Sequence, residues 1–179
     1  MSRWLVFDTE TTDLLPNSLI TNQSPRIIEF CGMVIDDAGR VVEELEFICN
    51  PGFEINSETT KITGITPSML DGKKTFKHYE GHVRSLINSC DAVVAHNLKY
   101  DYEVVSREME KCGTFDRLKW PRIRICTVME SEWYMGYRLS LTNLYIHLFG
   151  DSFSGAHRAR NDVEALVKCV VEMKRRGDL

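Results

Sequence analysis

The chain has 179 residues, 43% of them hydrophobic and 27% charged, with a formal net charge of −4 at pH 7. That length suits one domain with one core, expected here over residues 1–179; the composition is that of an ordinary globular protein, and no apolar run nears the roughly 20 residues that span a bilayer. Net acidity excludes a protein that coats long stretches of nucleic acid through a broad basic face, but not an enzyme that grips one chain end while bound cations neutralise its own carboxylates.

Met1-Ser2-Arg3-Trp4 leads directly into an apolar strand pattern without the zones of a secretory signal, so a cytoplasmic protein is expected. Trp4 to Phe7 is a short apolar run ending in Asp8-Thr9-Glu10-Thr11-Thr12, which reads as a buried strand reaching a sheet edge. The polar stretch from Asp13 to Ser24 reads as a mobile loop. Arg26 to Ile35 and Val41 to Cys49 read as a hairpin joined by the turn Asp36-Asp37-Ala38-Gly39. A short helical piece at Ser57 to Lys61, the turn Gly64-Ile65-Thr66-Pro67 and an amphipathic helix at Phe76 to Ile87 follow. Ala92 to His96 has the length of a buried strand, and a helix is expected from about Asp101 to Cys112. A basic stretch, Arg117 to Arg124, leads into a strand at Ile123 to Thr127, and helices are expected at Leu141 to Phe149 and Arg160 to Arg175. Three strands followed by alternating helix and strand describe a mixed sheet, an antiparallel meander continued by parallel crossovers.

Cys31, Cys49, Cys90, Cys112, Cys126 and Cys169 are widely spaced and form no CxxC pair, which favours reduced thiols over a disulfide framework or a zinc site. With 26 acidic residues, chance supplies about one Asp-x-Glu, yet three occur: Asp8/Glu10, Asp101/Glu103 and Asp162/Glu164. On a strand, residues i and i+2 share a face, so Asp8 and Glu10 can share a metal. On a helix they diverge, so Glu103 and Glu164 are expected to point away from their aspartates. Asp101 lies three and four positions before Val104 and Val105, and Asp162 lies three after Ala159 and four before Leu166, so both aspartates face inward. A buried carboxylate needs a cation, a basic partner or a proton, and Mg²⁺ favours such all-oxygen sets. Helix or loop capping by Asp8 and Asp162 and a surface salt bridge for Asp101 are the alternative readings.

His157-x-Ala159-x-x-Asp162 is the most specific local pattern. It places an imidazole, whose ordinary pKa of about 6.5 suits proton acceptance near neutrality, five positions before an inward carboxylate. His78, His82, His96 and His147 lack such context and read as structural or surface residues.

These residues, in this order, resemble the DnaQ-like exonucleases of the DEDDh class over nearly the whole chain. The resemblance rests on Phe7-Asp8-Thr9-Glu10-Thr11-Thr12 with Leu14 behind it, on Ala95-His96-Asn97 through Tyr100-Asp101, and on His157 to Asp162. Softer matches are Ile27-Ile28-Glu29 and Lys61-Ile62-Thr63-Gly64-Ile65-Thr66, with Thr63 where many members carry His. The resemblance implies an RNase H-like five-stranded sheet in order 3-2-1-4-5, with the site at the carboxyl end of its central strands. It also implies two divalent cations, Mg²⁺ or Mn²⁺, held by Asp8, Glu10, Asp101 and Asp162, with His157 as general base in hydrolysis of the last phosphodiester at a 3′ end. Thr9, Thr11, Leu14, Ile65 and Asn97 are expected around the terminal nucleotide, although Leu14 and Ile65 read equally as core residues. Single-stranded or frayed 3′ ends of DNA are the favoured partner, with RNA ends, an inactive nucleic-acid-binding module and a nucleotide phosphohydrolase as alternatives. Arg117, Lys119, Arg122 and Arg124, with Trp120 among them, read either as a strand guide or as a solvated loop.

Overall fold

The computed structural model describes residues 2–13 and 25–179. Five strands form one sheet: β1 (Trp4–Thr11), β2 (Ile27–Ile35), β3 (Val41–Ile48), β4 (Ala92–Ala95) and β5 (Ile123–Cys126). Their order is β3-β2-β1-β4-β5, as the resemblance implied, with β1, β2 and β3 antiparallel and β4 and β5 parallel to β1, as the pattern of elements implied. Helices α1 (Ser57–Thr63), α2 (Pro67–Leu70), α3 (Phe76–Asn88), α4 (Leu98–Cys112), α5 (Thr127–Met135), α6 (Leu141–Phe149) and α7 (Ala159–Arg176) complete the order, with a short 3₁₀ turn at Phe115–Arg117. The periodicity did not mark α5, whose apolar residues Met129 and Trp133 are exposed. No helix of the described residues is long and apolar enough to cross a membrane.

Alternation along β1 divides the interior. Leu5 and Phe7 pack with Phe30, Val83, Leu86, Val104 and Val105 in a core built on α3 and α4. Val6 packs with Cys31, Met33, Val94, Val163, Leu166 and Val170 under α7. Each fully buried aliphatic or aromatic side chain in these layers contributes about 1.5–3 kcal/mol. A register shift after Glu10, where Thr11 pairs with Ile27 rather than Ile28, turns the end of β1 away from the ladder. Beyond it Thr12 and Arg26 are tied together: Thr12 N–H donates to the Arg26 carbonyl and Arg26 N–H to Thr12 Oγ1, each at 3.0 Å. Glu108, 1% exposed, anchors this junction by accepting from Arg26 Nε at 2.6 Å and from Ile27 N–H at 3.2 Å. All six cysteines are free thiols.

Candidate active site

Strand alternation that sends Val6 toward α7 sends Asp8 and Glu10 the same way, and Asp162 meets them from the first turn of α7. Carboxylate oxygens of Asp8, Glu10 and Asp162 all lie within 4.8 Å of one another. Asp101 arrives from the opposite layer. It is 3% exposed in the first turn of α4, and its Oδ1 accepts from the Thr9 N–H at 3.1 Å and the Thr9 hydroxyl at 2.7 Å. Three of the expected four acids thus form a tight group. The fourth is held on Thr9, the neighbour of Asp8, and its charge acts on both Asp8 and Glu10. Glu103 and Glu164 turn outward into ion pairs with Arg107 and Arg160.

Burial pushes the Asp8 carboxyl well above the usual carboxylate range, and the charges of Asp101, Glu10 and Asp162 push the same way. Glu10 is pushed up to about 8 by burial, then by Asp162 and Glu29, with Arg158 opposing. Burial raises Asp162 to about 6, against the pull of the His157 N–H, and raises Asp101 against its two bonds from Thr9. So many acids remain ionised together only with added positive charge. Arg158 does not supply it in full, because Glu29 holds it. Glu29 lies opposite Glu10 across the ladder and is 0% exposed; it accepts from Arg158 Nη2 at 2.7 Å and from Ala159 N–H, at the start of α7, at 3.0 Å. Oxygen donors, proximity and uncompensated charge fit one or more hard divalent cations.

His157 adopts a left-handed backbone, φ 67°, and its N–H donates to Asp162 Oδ2 at 3.0 Å. Its residue lines two cavities that also share Asp8 and Asp162, one of about 680 Å³ and one of about 380 Å³. The larger also takes in Thr9, Thr11, Ile62, Thr63 and Tyr100; the smaller takes in His96 and Phe153. His96, which the sequence reading set aside, is half-buried with Nδ1 2.9 Å from Thr127 Oγ1; burial pushes its pKa down to about 4, so it is neutral near pH 7.

The expected nucleotide-contacting residues divide. Thr9 and Thr11 line the larger cavity, although the Thr9 hydroxyl is engaged by Asp101 and the Thr11 hydroxyl donates to the Asp13 carbonyl at 2.7 Å. Leu14 lies outside the described residues. Ile65 is a core residue instead: α1 ends at left-handed Gly64, the chain turns inward, and Ile65 is 0% exposed against Ile28, Ile55 and Leu70. Its place on the cavity wall belongs to Ile62, 51% exposed, three residues earlier on α1. Asn97, left-handed at φ 75° before α4, lines a different cavity and not the one over the carboxylates. Trp120 is no free stacking surface, since it packs on Phe7 and Tyr102 at centroid distances of 6.0 and 4.6 Å and donates to Ser106 Oγ at 3.2 Å. Tyr100, missed from sequence, closes the cavity beside Thr11 with its hydroxyl on the Asp13 carbonyl at 2.7 Å.

Residues 5–170 match the protein-family model described as an exonuclease, RNase_T. A DNA polymerase III PolC-type of Thermotoga petrophila is 28% identical over 178 residues, which is 97% of this chain and 12% of the polymerase. The 3′-5′ exonuclease DinG of Bacillus subtilis is 26% identical over 167 residues, 90% of this chain and 16% of DinG. The chain therefore spans well under a fifth of either relative's length. Among solved structures, a zinc-bound E. coli ExoI–single-stranded DNA complex superposes with a TM-score of 0.80 at 22% identity, covering 98% of this chain and 41% of that one. The nuclease domain of 3′hExo, a DEDDh family member bound to rAMP, superposes at 0.75 and 16% identity, covering 98% and 93%. At these identities the likeness concerns the fold.

Proposed function

The chain belongs to the exonuclease family, and from that membership we propose that it shortens nucleic acid from the 3′ end, with DNA as the favoured polymer, releasing nucleoside 5′-monophosphates. The observation that carries this reading is the meeting of Asp8, Glu10 and Asp162 within 4.8 Å beside His157 in a cavity large enough for a nucleotide. We take residues 1–179 as one exonuclease domain acting in the cytoplasm on single-stranded or frayed ends. PolC-type polymerases and DinG among the relatives favour DNA. A structural neighbour solved as a 3′-exonuclease on a histone mRNA stem-loop, TM-score 0.77 at 16% identity, keeps RNA ends as the second reading.

Two divalent cations, Mg²⁺ or Mn²⁺, held by Asp8, Glu10, Asp101 and Asp162, would supply charge neutralisation and Lewis acidity at the phosphate when bound. Asp8, on which the charges of Asp101, Glu10 and Asp162 all act, would be the ligand that most needs that neutralisation. His157 takes a proton from the attacking water, whose oxygen bonds to phosphorus while the bond to the 3′ oxygen of the remaining strand breaks. The hydrogen bond from His157 N–H to Asp162 ties the base to the acidic group, so both move with the start of α7. Ile62 and Tyr100 give the terminal nucleoside an apolar wall, with Thr63 beside them.

Purified protein incubated with Mg²⁺ or Mn²⁺ and 5′-labelled DNA or RNA is expected to give a ladder of shortened strands, stronger on DNA. Absence of a ladder on both polymers overturns the reading, and a ladder on RNA alone transfers it to the second one.

A further inference from the structure

The smaller of the two catalytic cavities takes in His96, and the next residue, Asn97, lines a further cavity of about 500 Å³ at the carboxyl ends of β4 and β5. Its walls differ in charge from those of the carboxylate cavity. Lys99, Arg124 and Arg138 face it and no carboxylate does, in a chain whose net charge is −4. Arg124 is held in place: its Nε donates to the Pro121 carbonyl at 2.9 Å, and its guanidinium carbon lies 4.9 Å from the centroid of the Tyr102 ring. Neither Arg124 nor Lys99 forms an ion pair with an acid among the described residues, and the terminal nitrogens of Arg124 have no hydrogen-bond partner there. Arg138 also lines the groove and is ion-paired to Glu132, its Nε donating to Glu132 Oε2 at 3.0 Å. Met129 forms part of the apolar wall and is 49% exposed; Trp133, one turn later on the same face of α5, is 88% exposed. Indoles are rarely left so open without a partner.

Cations beside an exposed aromatic face, in a cavity whose Asn97 follows the His96 of the catalytic cavity in sequence, have the chemistry of a surface that follows a single strand by phosphate contact and base stacking. We propose that this groove binds the polynucleotide a few residues upstream of the 3′ end, with phosphates on Lys99, Arg124 and Arg138 and a base on Met129 and Trp133. The inference rests on the exonuclease reading and adds a second subsite that sets affinity for long strands. It also gives an acidic protein a local hold on a polyanion, because Lys99, Arg124 and Arg138 stand where the strand leaves the clustered acids Asp8, Glu10 and Asp162.

The test compares a single strand of about 20 nucleotides with the p-nitrophenyl ester of thymidine 5′-monophosphate, which is too short to reach the groove. In Arg124→Ala/Arg138→Ala, KM for the strand is expected to rise on the order of tenfold more than KM for the ester, and the salt dependence of log KM to become shallower by about 1.4, two contacts at about 0.7 each. Both side chains are exposed, so the fold should survive, and Arg124→Glu provides a second, stronger version. A hydrolysis-resistant phosphorothioate strand should quench tryptophan fluorescence in the wild type and much less in Trp133→Phe. Unmoved KM and salt slope in both arginine variants, on an enzyme that does shorten the strand, overturn the groove alone. A wild type that shortens no strand overturns the exonuclease reading instead.

Discussion

Asp162→Asn separates the cost of the acidic cluster to the fold from its use in chemistry. In the metal-free folded chain Glu10 and Asp162 keep protons up to about pH 8 and 6, against ordinary values of 4.5 and 3.8 that the unfolded chain restores. Across that window the folded state binds more protons than the unfolded one, so stability is highest on the acid side and falls as pH rises toward 8. Asp162 is displaced by about two units, an upper limit of about 3 kcal/mol at about 1.4 kcal/mol per unit, which partial exposure reduces to about 1–2 kcal/mol. The asparagine oxygen still accepts the His157 N–H, so the substitution removes charge and little else. In EDTA at pH 8 the variant should melt higher than wild type by roughly 3–8 °C, with the gap nearly closed at pH 4. Asp36, Asp37 and Glu172, whose pKa values are lowered by hydrogen bonds, act with the opposite sign but below the window, so the variant-minus-wild-type difference isolates Asp162. Adding Mn²⁺ should raise the wild-type melting temperature by an amount that grows with pH, and should do less for the variant, which should also lose exonuclease activity. Differential scanning fluorimetry across pH with and without Mn²⁺ reads all of this. A variant less stable than wild type in EDTA at pH 8 would refute the electrostatic argument.

Glu29→Gln leaves half-buried Arg158 without its counter-charge and should cost about 1–3 kcal/mol in a thermal melt, with kcat falling more than KM changes because Arg158 and the start of α7 hold His157 and Asp162; unchanged kcat would reject that link. Ile62→Ala should raise KM for an oligonucleotide with little effect on melting, whereas Ile65→Ala should cost about 2–5 kcal/mol of stability, a contrast that a melt and a rate measurement together decide. Gly39→Ala meets both a left-handed φ of 76° and Val171 Cγ2 at 2.6 Å from the new Cβ. A loss of about 1–3 kcal/mol is expected, with activity at 25 °C retained, as a melt paired with a turnover assay would show.

Periodicity carried most of the fold into the sequence. The meander, the crossovers and the inward faces of Asp101 and Asp162 could all be read from spacing, because those segments pack against a core on one side. Helix α5 could not, since its large apolar residues Met129 and Trp133 are exposed and leave no amphipathic pattern. At the site, the two acids of β1 were legible because a strand has a fixed period of two. That Asp101 reaches the site through hydrogen bonds from Thr9 follows from which layer each helix occupies, and only the sheet order fixes that. Sequence left Ile65 open between cavity wall and core, because the choice turns on where α1 stops. Gly64 marks the stop, and its left-handed φ sends the following side chain inward. Trp120 illustrates a similar ambiguity: an indole in a basic loop suits stacking on a base as well as packing on Phe7, and sequence spacing does not distinguish them.

Among the described residues other than glycine, only Asn97 and His157 hold a left-handed backbone, and each lines a cavity at the carboxyl end of the sheet. Asparagine adopts that shape at small cost and histidine less readily. A library selected for heat resistance alone should therefore drift to glycine at position 157 and to amides among the clustered acids, ending as a sturdier protein with no chemistry. Histidine at that bend, in a chain that would fold more easily without it, records a demand that folding itself does not make.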